Sequence, residues 1–238
     1  MFQFRKQESF RRIVRWSRRL LLRAALILFL LTVIEVFIFR HLDPPVTGSM
    51  AWHFMRHKIT GKHYEKPSCY WRELEEISPY LKRAVLAGED QKFLSHHGFD
   101  FTELSQAFWE LVTAQRKRGA STISMQVART VFLWPGRSWL RKTAEAYYTI
   151  LIELMWSKER ILEVYLNTVH WGKGIMGAEA AARRYFFTSS AYITASQAAL
   201  LAAILPNPTK WSPTKPSRYI RERQYEIMRD MVKMPLIE

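Results

Sequence analysis

Residues 88–133 read GEDQKFLSHHGFDFTELSQAFWELVTAQRKRGASTISMQVARTVFL, and the order of signals in this stretch decides the fold class. Asp100-x-x-Glu103 has the form of a capping box. After it Leu104, Ala107, Phe108, Leu111 and Val112 recur at helical spacing, as one apolar stripe. The triplet Arg116-Lys117-Arg118 and then Gly119 end that helix. Ser121 and Thr122 open another, to about Leu133, where Trp134-Pro135-Gly136 breaks it. Upstream, Ser78-Pro79 reads as an N-cap with proline at the first helical position, and the helix runs to about Glu89. Downstream, Ser138 caps a long helix to Trp156 and Ser157 one through Asn167. Thr194-x-x-Gln197 is a capping box before AALLAAIL, which ends at Pro206-Asn207-Pro208. Period-two alternation is scarce, with room for a short β element at 168–176. The predicted fold is mainly α, with its domain over residues 75–230 and a connector at 41–74, where Pro44-Pro45, Gly48, Gly61 and Pro67 interrupt any period.

The chain has 238 residues, 48% hydrophobic and 24% charged, a composition that excludes a disordered polymer. The single cysteine, Cys69, excludes a disulfide framework and any multi-cysteine metal site. Lys+Arg 36 against Asp+Glu 21 gives +15, so an anionic partner is expected. Arg5, Lys6, Arg11, Arg12, Arg15, Arg18, Arg19 and Arg23 face Glu8 alone in the first 23 residues. Residues 24–39, AALILFLLTVIEVFIF, then carry Glu35 as their only charge. From Leu20 the apolar span is about twenty residues, or ~30 Å as a helix, one hydrocarbon thickness. The expectation is a basic cytoplasmic tail at 1–19 and a transmembrane anchor at 20–40, with the N-terminus inside and the remainder outside the cytoplasm. HLDPPVTGSM, residues 41–50, offers no clear A-x-A cleavage site, so the anchor is expected to stay. For an exported domain nucleic acid is not an expected partner. Lipid head groups and lipid-linked phosphates are.

Three blocks have residues suited to chemistry. Glu89 and Asp90 sit at a helix C-terminus, where the macrodipole disfavours negative charge and raises a carboxylate pKa, which suits a general base. Taken alone, the pair fits two solvated surface acids better than a catalytic site. In the second block Ser121 and Thr122 present free N–H groups at a helix start, with Gln126 and Arg129 following, a pattern for anions. In the third, Arg137, Arg141 and Lys142 gather around Glu145 at another helix start, fitting phosphate or a surface ion-pair ladder. His96, His97 and Asp100 are ligand types, but no H-E-x-x-H spacing defines a third ligand, and no protein metal site is expected. The Ile161, Leu162, Tyr165, Leu166 stripe and the AALLAAIL helix read as core. Ser212-x-x-Lys215 matches a transpeptidase motif by chance, since K-T-G is absent and too few residues follow.

Taken in order, the blocks ED-x-x-F-x-x-H-x-G (Glu89 to Gly98), G-A-S-T-I-S-x-Q (Gly119 to Gln126), R-K-x-x-E (Arg141 to Glu145), ILEVYLN and AALLAAILPNP resemble the peptidoglycan glycosyltransferase family over about residues 75–215. The short chain with one anchor and no transpeptidase domain is similar to its monofunctional biosynthetic branch. The resemblance implies a lysozyme-like helical fold that polymerises lipid II at the outer face of the bacterial cytoplasmic membrane. It implies Glu89 as general base and Glu145 as a second catalytic carboxylate. It places Asp90, Ser121, Thr122, Gln126, Arg129, Arg137 and Lys142 on the substrate. Arg129 stands where the family usually has lysine, Thr130 where it has asparagine, and Met125 where a glutamine is common, which puts the cleft's affinity in question. No cofactor is required, and a divalent cation, Mg2+ or Mn2+, at the diphosphate is left open. Implied partners are lipid II, polyprenyl-diphosphate-linked glycan, membrane lipids and proteins of cell-wall synthesis or division. A lysozyme-like lytic enzyme is the alternative, but its substrate would give the cation-rich blocks no purpose.

Overall fold

The computed structural model describes residues 2–61, 67–103, 105, 109, 121–136 and 138–237, with side chains from residue 16 onward. The chain divides into two compact units, Met1–Leu42 and Asp43–Glu238. The first is one helix, α1 (Phe2–His41), in which Trp16–His41 is long and apolar enough to cross a membrane. Leu21, Leu28, Leu31 and Phe37 all face outward from it. Such a surface is costly in water and matches hydrocarbon, where the helix satisfies its own backbone groups. The backbone shows no break between basic tail and apolar span, because arginine and leucine are both strong helix formers.

The second unit begins with a correction. The expected connector contains a helix, α2 (Gly48–Thr60), whose Thr47 Oγ1 accepts from Met50 N at 3.2 Å and which Gly61 closes at φ 65°. The prolines and glycines mark its ends and do not exclude it. Four later caps follow the sequence reading: Thr122 starts α4 (Ile123–Phe132), Ser138 α5 (Trp139–Met155), Ser157 α6 (Lys158–Thr168) and Thr194 α8 (Ala195–Ile204), the last as a reciprocal capping box. Ser78 precedes α3 (Pro79–Glu89) without capping it, since its Oγ donates instead to Ile193 O at 2.9 Å. Between α6 and α8 lie a two-stranded antiparallel hairpin, β1 (His170–Gly172) and β2 (Ile175–Met176), and α7 (Ala178–Phe186). The last helix is α9 (Arg218–Met231). Asp100 Oδ1 accepts from the amides of Thr102 and Glu103 and so caps a helical turn at 101–103. The stripe expected beyond it, with Leu104, Ala107, Phe108, Leu111, Val112 and Gly119, lies outside the described residues.

Helix α8 is apolar on every side, and it is packed by α3 and α9, with Leu201 and Ile204 wholly buried. Truncating Leu201 to alanine is expected to cost about 2–5 kcal/mol. Helix α4 packs against α5, α6 and α2. The result that matters for function is the junction between the C-terminus of α3 and the N-terminal half of α4.

Candidate active site

At that junction the chain brings Glu89 onto Gln126, 37 residues later. Gln126 Nε2 donates to Glu89 Oε2 at 2.9 Å, and Tyr165, on α6, donates its hydroxyl to Gln126 Oε1 at 3.4 Å. Burial pushes the Glu89 carboxyl above its ordinary value. Gln126, Arg223 and Arg129 pull it down, while the Asp90 charge adds to the rise. Burial, with the Glu89 charge nearby, pushes the Tyr165 phenol well above its ordinary value, so it remains a donor. The Glu89 side chain keeps 13% exposure, enough for one face to meet a ligand.

Asp90 does not contribute to a substrate surface, which corrects the sequence reading. It is buried, and both its oxygens are occupied. His96 Nε2 lies 2.9 and 3.0 Å from the two, and the first amide of α4, Ile123 N, donates to Oδ2 at 3.0 Å. His96 Nδ1 accepts from Gly98 N at 3.0 Å, which leaves the proton on Nε2 to face Asp90. His96 is therefore a strut, not a metal ligand. Gly98 adopts φ +90°, and a Cβ there would lie 2.8 Å from Thr149 Cγ2. Its carbonyl accepts from Thr122 Oγ1 at 2.6 Å. Thr122 is buried with its hydroxyl also capping α4, so it too supports the site from behind and does not line it. Ser124 and Lys158 both bond Glu153, and Lys158 Nζ also reaches His96 O at 2.8 Å. This network fixes where α3 ends and α4 begins, and hence the Glu89–Gln126 geometry.

Ser121 is half-buried just before the cap, and Arg129 is half-buried near the end of α4, in electrostatic reach of Glu89. Met125 is buried in α4. At the start of α5, Glu145 is wholly buried, with Arg141 Nη1 at 2.8 Å and Lys142 Nζ at 2.7 Å on its two oxygens. Each oxygen accepts from one of these cations, so the carboxylate orders both side chains at this helix start. Lys142 remains 47% exposed at its side chain and is the group of this trio available to an anion. Arg141 and Lys142 surround this carboxylate with positive charge, and no group of three or more His, Cys, Asp or Glu side chains gathers among the described residues. Arg137 lies outside the described residues.

Two contributors escaped the sequence reading. Tyr165 was assigned to an apolar stripe, which is right for its ring but overlooks its hydroxyl. Arg223, on α9, donates from Nη2 to Gly88 O at 3.0 Å and lies 3.7 Å from Glu89 Oε1. No local pattern marks it among the cations of that helix.

Comparison with known proteins places this geometry. The family model described as Transglycosylase matches residues 57–232. The chain is 45% identical over 227 residues to a biosynthetic peptidoglycan transglycosylase of Bacteroides thetaiotaomicron, covering 94% of this chain and 89% of that one. It is 46% identical over 217 residues to the protein of the same description in Caulobacter vibrioides (90% and 92% covered). A Stutzerimonas stutzeri protein, again so described, is 49% identical over 217 residues (90% and 89% covered). With its carboxylate at a helix end, its two sets of cations and this extent of likeness, the chain belongs to the transglycosylase family, as a peptidoglycan glycosyltransferase.

Proposed function

We propose that the enzyme elongates glycan strands from lipid II, forming β-1,4 bonds and releasing polyprenyl diphosphate, without transpeptidase activity. The observation that carries this reading is the Glu89 carboxylate at the α3–α4 junction, held by one hydrogen bond from Gln126 and kept more basic than usual by burial. Glu89 takes the proton of the acceptor GlcNAc 4-hydroxyl as that oxygen attacks C1 of the donor MurNAc. The C1–O bond to the diphosphate breaks on the opposite face, so the α-linked donor yields a β-bond. A sugar hydroxyl is a very weak acid, so proton transfer is concerted with attack. Negative charge grows on the departing diphosphate, and Arg129 and Lys142, with Arg137, stabilise it electrostatically. Glu145 holds Lys142 and Arg141 ready for that role.

Both substrates are lipid-borne, which gives the rest of the surface a purpose. Trp52, Phe54, Met55 and Ile59 on α2 are exposed, as are Phe101 and Trp109, and Trp139 and Leu140 at the start of α5. In this reading they enter the interfacial layer and hold the site at head-group level. The α1 helix anchors the enzyme with its basic end in the cytoplasm and the catalytic domain on the outer face of the bacterial cytoplasmic membrane.

The test is polymerisation of labelled lipid II by the purified full-length enzyme. Wild type is expected to make polymer and Glu89→Gln at least about a hundredfold less. A Glu89→Gln enzyme working near the wild-type rate overturns the base assignment. Cleavage of finished sacculi with no product from lipid II overturns the reaction itself.

A further inference from the structure

The C-terminal helix touches the reacting end of the site through one side chain, Arg223. Its Nη2 donates to Gly88 O at 3.0 Å, and the same nitrogen lies 3.7 Å from Glu89 Oε1. The contact joins residues 135 positions apart. Gly88 O is one of the last carbonyls of α3, which lack partners within the helix. Of its neighbours, Leu86 O accepts from Asp90 N and Ala87 O from Gln91 Nε2 at 3.1 Å. Arg223 completes this cap and puts a cation where the helix dipole favours one. The approach is close: a Cβ at Gly88 would stand 3.2 Å from Ile227 Cδ1, one turn beyond Arg223 on α9. The side chain is 23% exposed, and its Nε is buried without a hydrogen-bond partner among the described residues.

We infer that Arg223 is a positioning residue for Glu89, gripping the carbonyl before it and steadying Oε1 while Gln126 holds Oε2, so that the carboxylate is aimed and ionised when the acceptor arrives. The inference rests on Glu89 being the base. It assigns the C-terminal helix a part in catalysis that no contact with substrate requires. The groups facing Glu89 divide by element. Asp90 beside it on the chain opposes ionisation. Arg129 and Gln126 from α4 favour it, and Arg223 from α9 does the same. Tyr165 from α6 stays neutral and bonds Gln126. Burial opposes this favourable set, so removing one cation should tip the balance toward the protonated, inactive acid. Lysine would keep the charge but not the rigid, planar guanidinium that sets one nitrogen against both carbonyl and carboxylate.

The experiment is the pH–rate profile of lipid II polymerisation for wild type, Arg223→Gln and Arg223→Lys, with Glu89→Gln alongside. For Arg223→Gln the acid limb should move up by about one pH unit. Its kcat should fall at neutral pH and recover on the alkaline side, with KM unchanged. Arg223→Lys should lose kcat with a smaller displacement of the limb in the same direction. Should the glutamine variant fail to fold, the lysine variant decides. An Arg223→Lys enzyme with wild-type kcat and acid limb overturns the proposal. So does a loss confined to KM, which would place Arg223 on the substrate. If Glu89→Gln itself remains active, it is the base assignment that has failed. If Glu89→Gln is dead and the Arg223 profiles are unmoved, only this inference has.

Discussion

Two glutamates, the partly buried Glu89 and the wholly buried Glu179, solve opposite problems with the same functional group. Glu179 on α7 is wholly buried, yet five groups donate to it. They are Arg183 Nε at 2.7 Å, Ser190 N and Oγ at 2.8 Å each, Ser189 Oγ at 2.9 Å and Arg72 Nη2 at 3.3 Å. Burial alone would raise its pKa, but the Ser190 amide, Arg183 and the two hydroxyls hold it down at about 2. Glu89 has one amide donor at 2.9 Å and a guanidinium at 3.7 Å, and burial wins. A carboxylate saturated with donors locks a scaffold and is a poor base. One left short of donors stays basic and costs stability to keep ionised.

The largest expected effect is at Glu89. Glu89→Gln should lower polymerisation by 10²–10⁴-fold, the usual worth of a general base. It should leave the melting temperature unchanged or raised at neutral pH. The sign follows from linkage. A carboxyl whose folded pKa is raised stabilises the fold most when protonated and loses that contribution as pH rises from the ordinary carboxylate value to the raised one. A neutral amide avoids the cost. A marked drop in melting temperature for this variant would make Glu89 a structural acid like Glu179, and the contrast would fail.

Glu179→Ala should do the reverse. Stripping a buried carboxylate from two arginines and two serines should cost about 3–5 kcal/mol of stability in a denaturant titration. Any folded fraction should keep its turnover. Because the folded pKa lies at about 2, against an ordinary 4.5, this stabilisation is complete above about 4.5 and fades as pH falls toward 2. An acid melt of Glu179→Gln should therefore lack that part of the wild-type loss. Smaller still is Lys142→Ala, expected to lower activity roughly 10²-fold by leaving the departing charge less well met. Unchanged activity would remove Lys142 from the diphosphate.

The same contrast shows what one sequence can disclose. Caps at Thr122, Ser138, Ser157 and Thr194 were legible because donor and acceptor lie three residues apart. The all-apolar α8 was legible because its burial is a property of composition. Glu89 was legible as an acid at a helix end. The role of Asp90 was not, since one of its partners, Ile123 N, lies 33 residues away and only the folded chain brings it near. Glu179 drew no notice for the same reason: Arg72 is 107 residues distant. Helix α9 went unread because Ile220, Ile227 and Met231 are its only buried residues, too thin a stripe against fourteen mostly polar positions. Glu145 was recognised as important, but its burial between Arg141 and Lys142 could not be read from i, i+3 and i, i+4 spacing, which fits an exposed ladder equally well.

The smallest effect tests how far the sparse-donor principle extends. Tyr165 is buried and reaches Gln126 Oε1 at 3.4 Å, a long bond that still determines which end of the amide faces Glu89. Tyr165→Phe removes the hydroxyl, keeps the ring in the core and leaves Gln126 Oε1 without this donor. The penalty for such a bond is about 1 kcal/mol, or roughly fivefold in kcat. Because the phenol is neutral before and after, the acid limb of the pH–rate profile should stay in place, unlike that of Arg223→Gln. A hundredfold loss would mean that the hydroxyl meets the reacting sugars directly. A displaced limb would mean that Gln126 alone does not set the Glu89 environment on the α4 side.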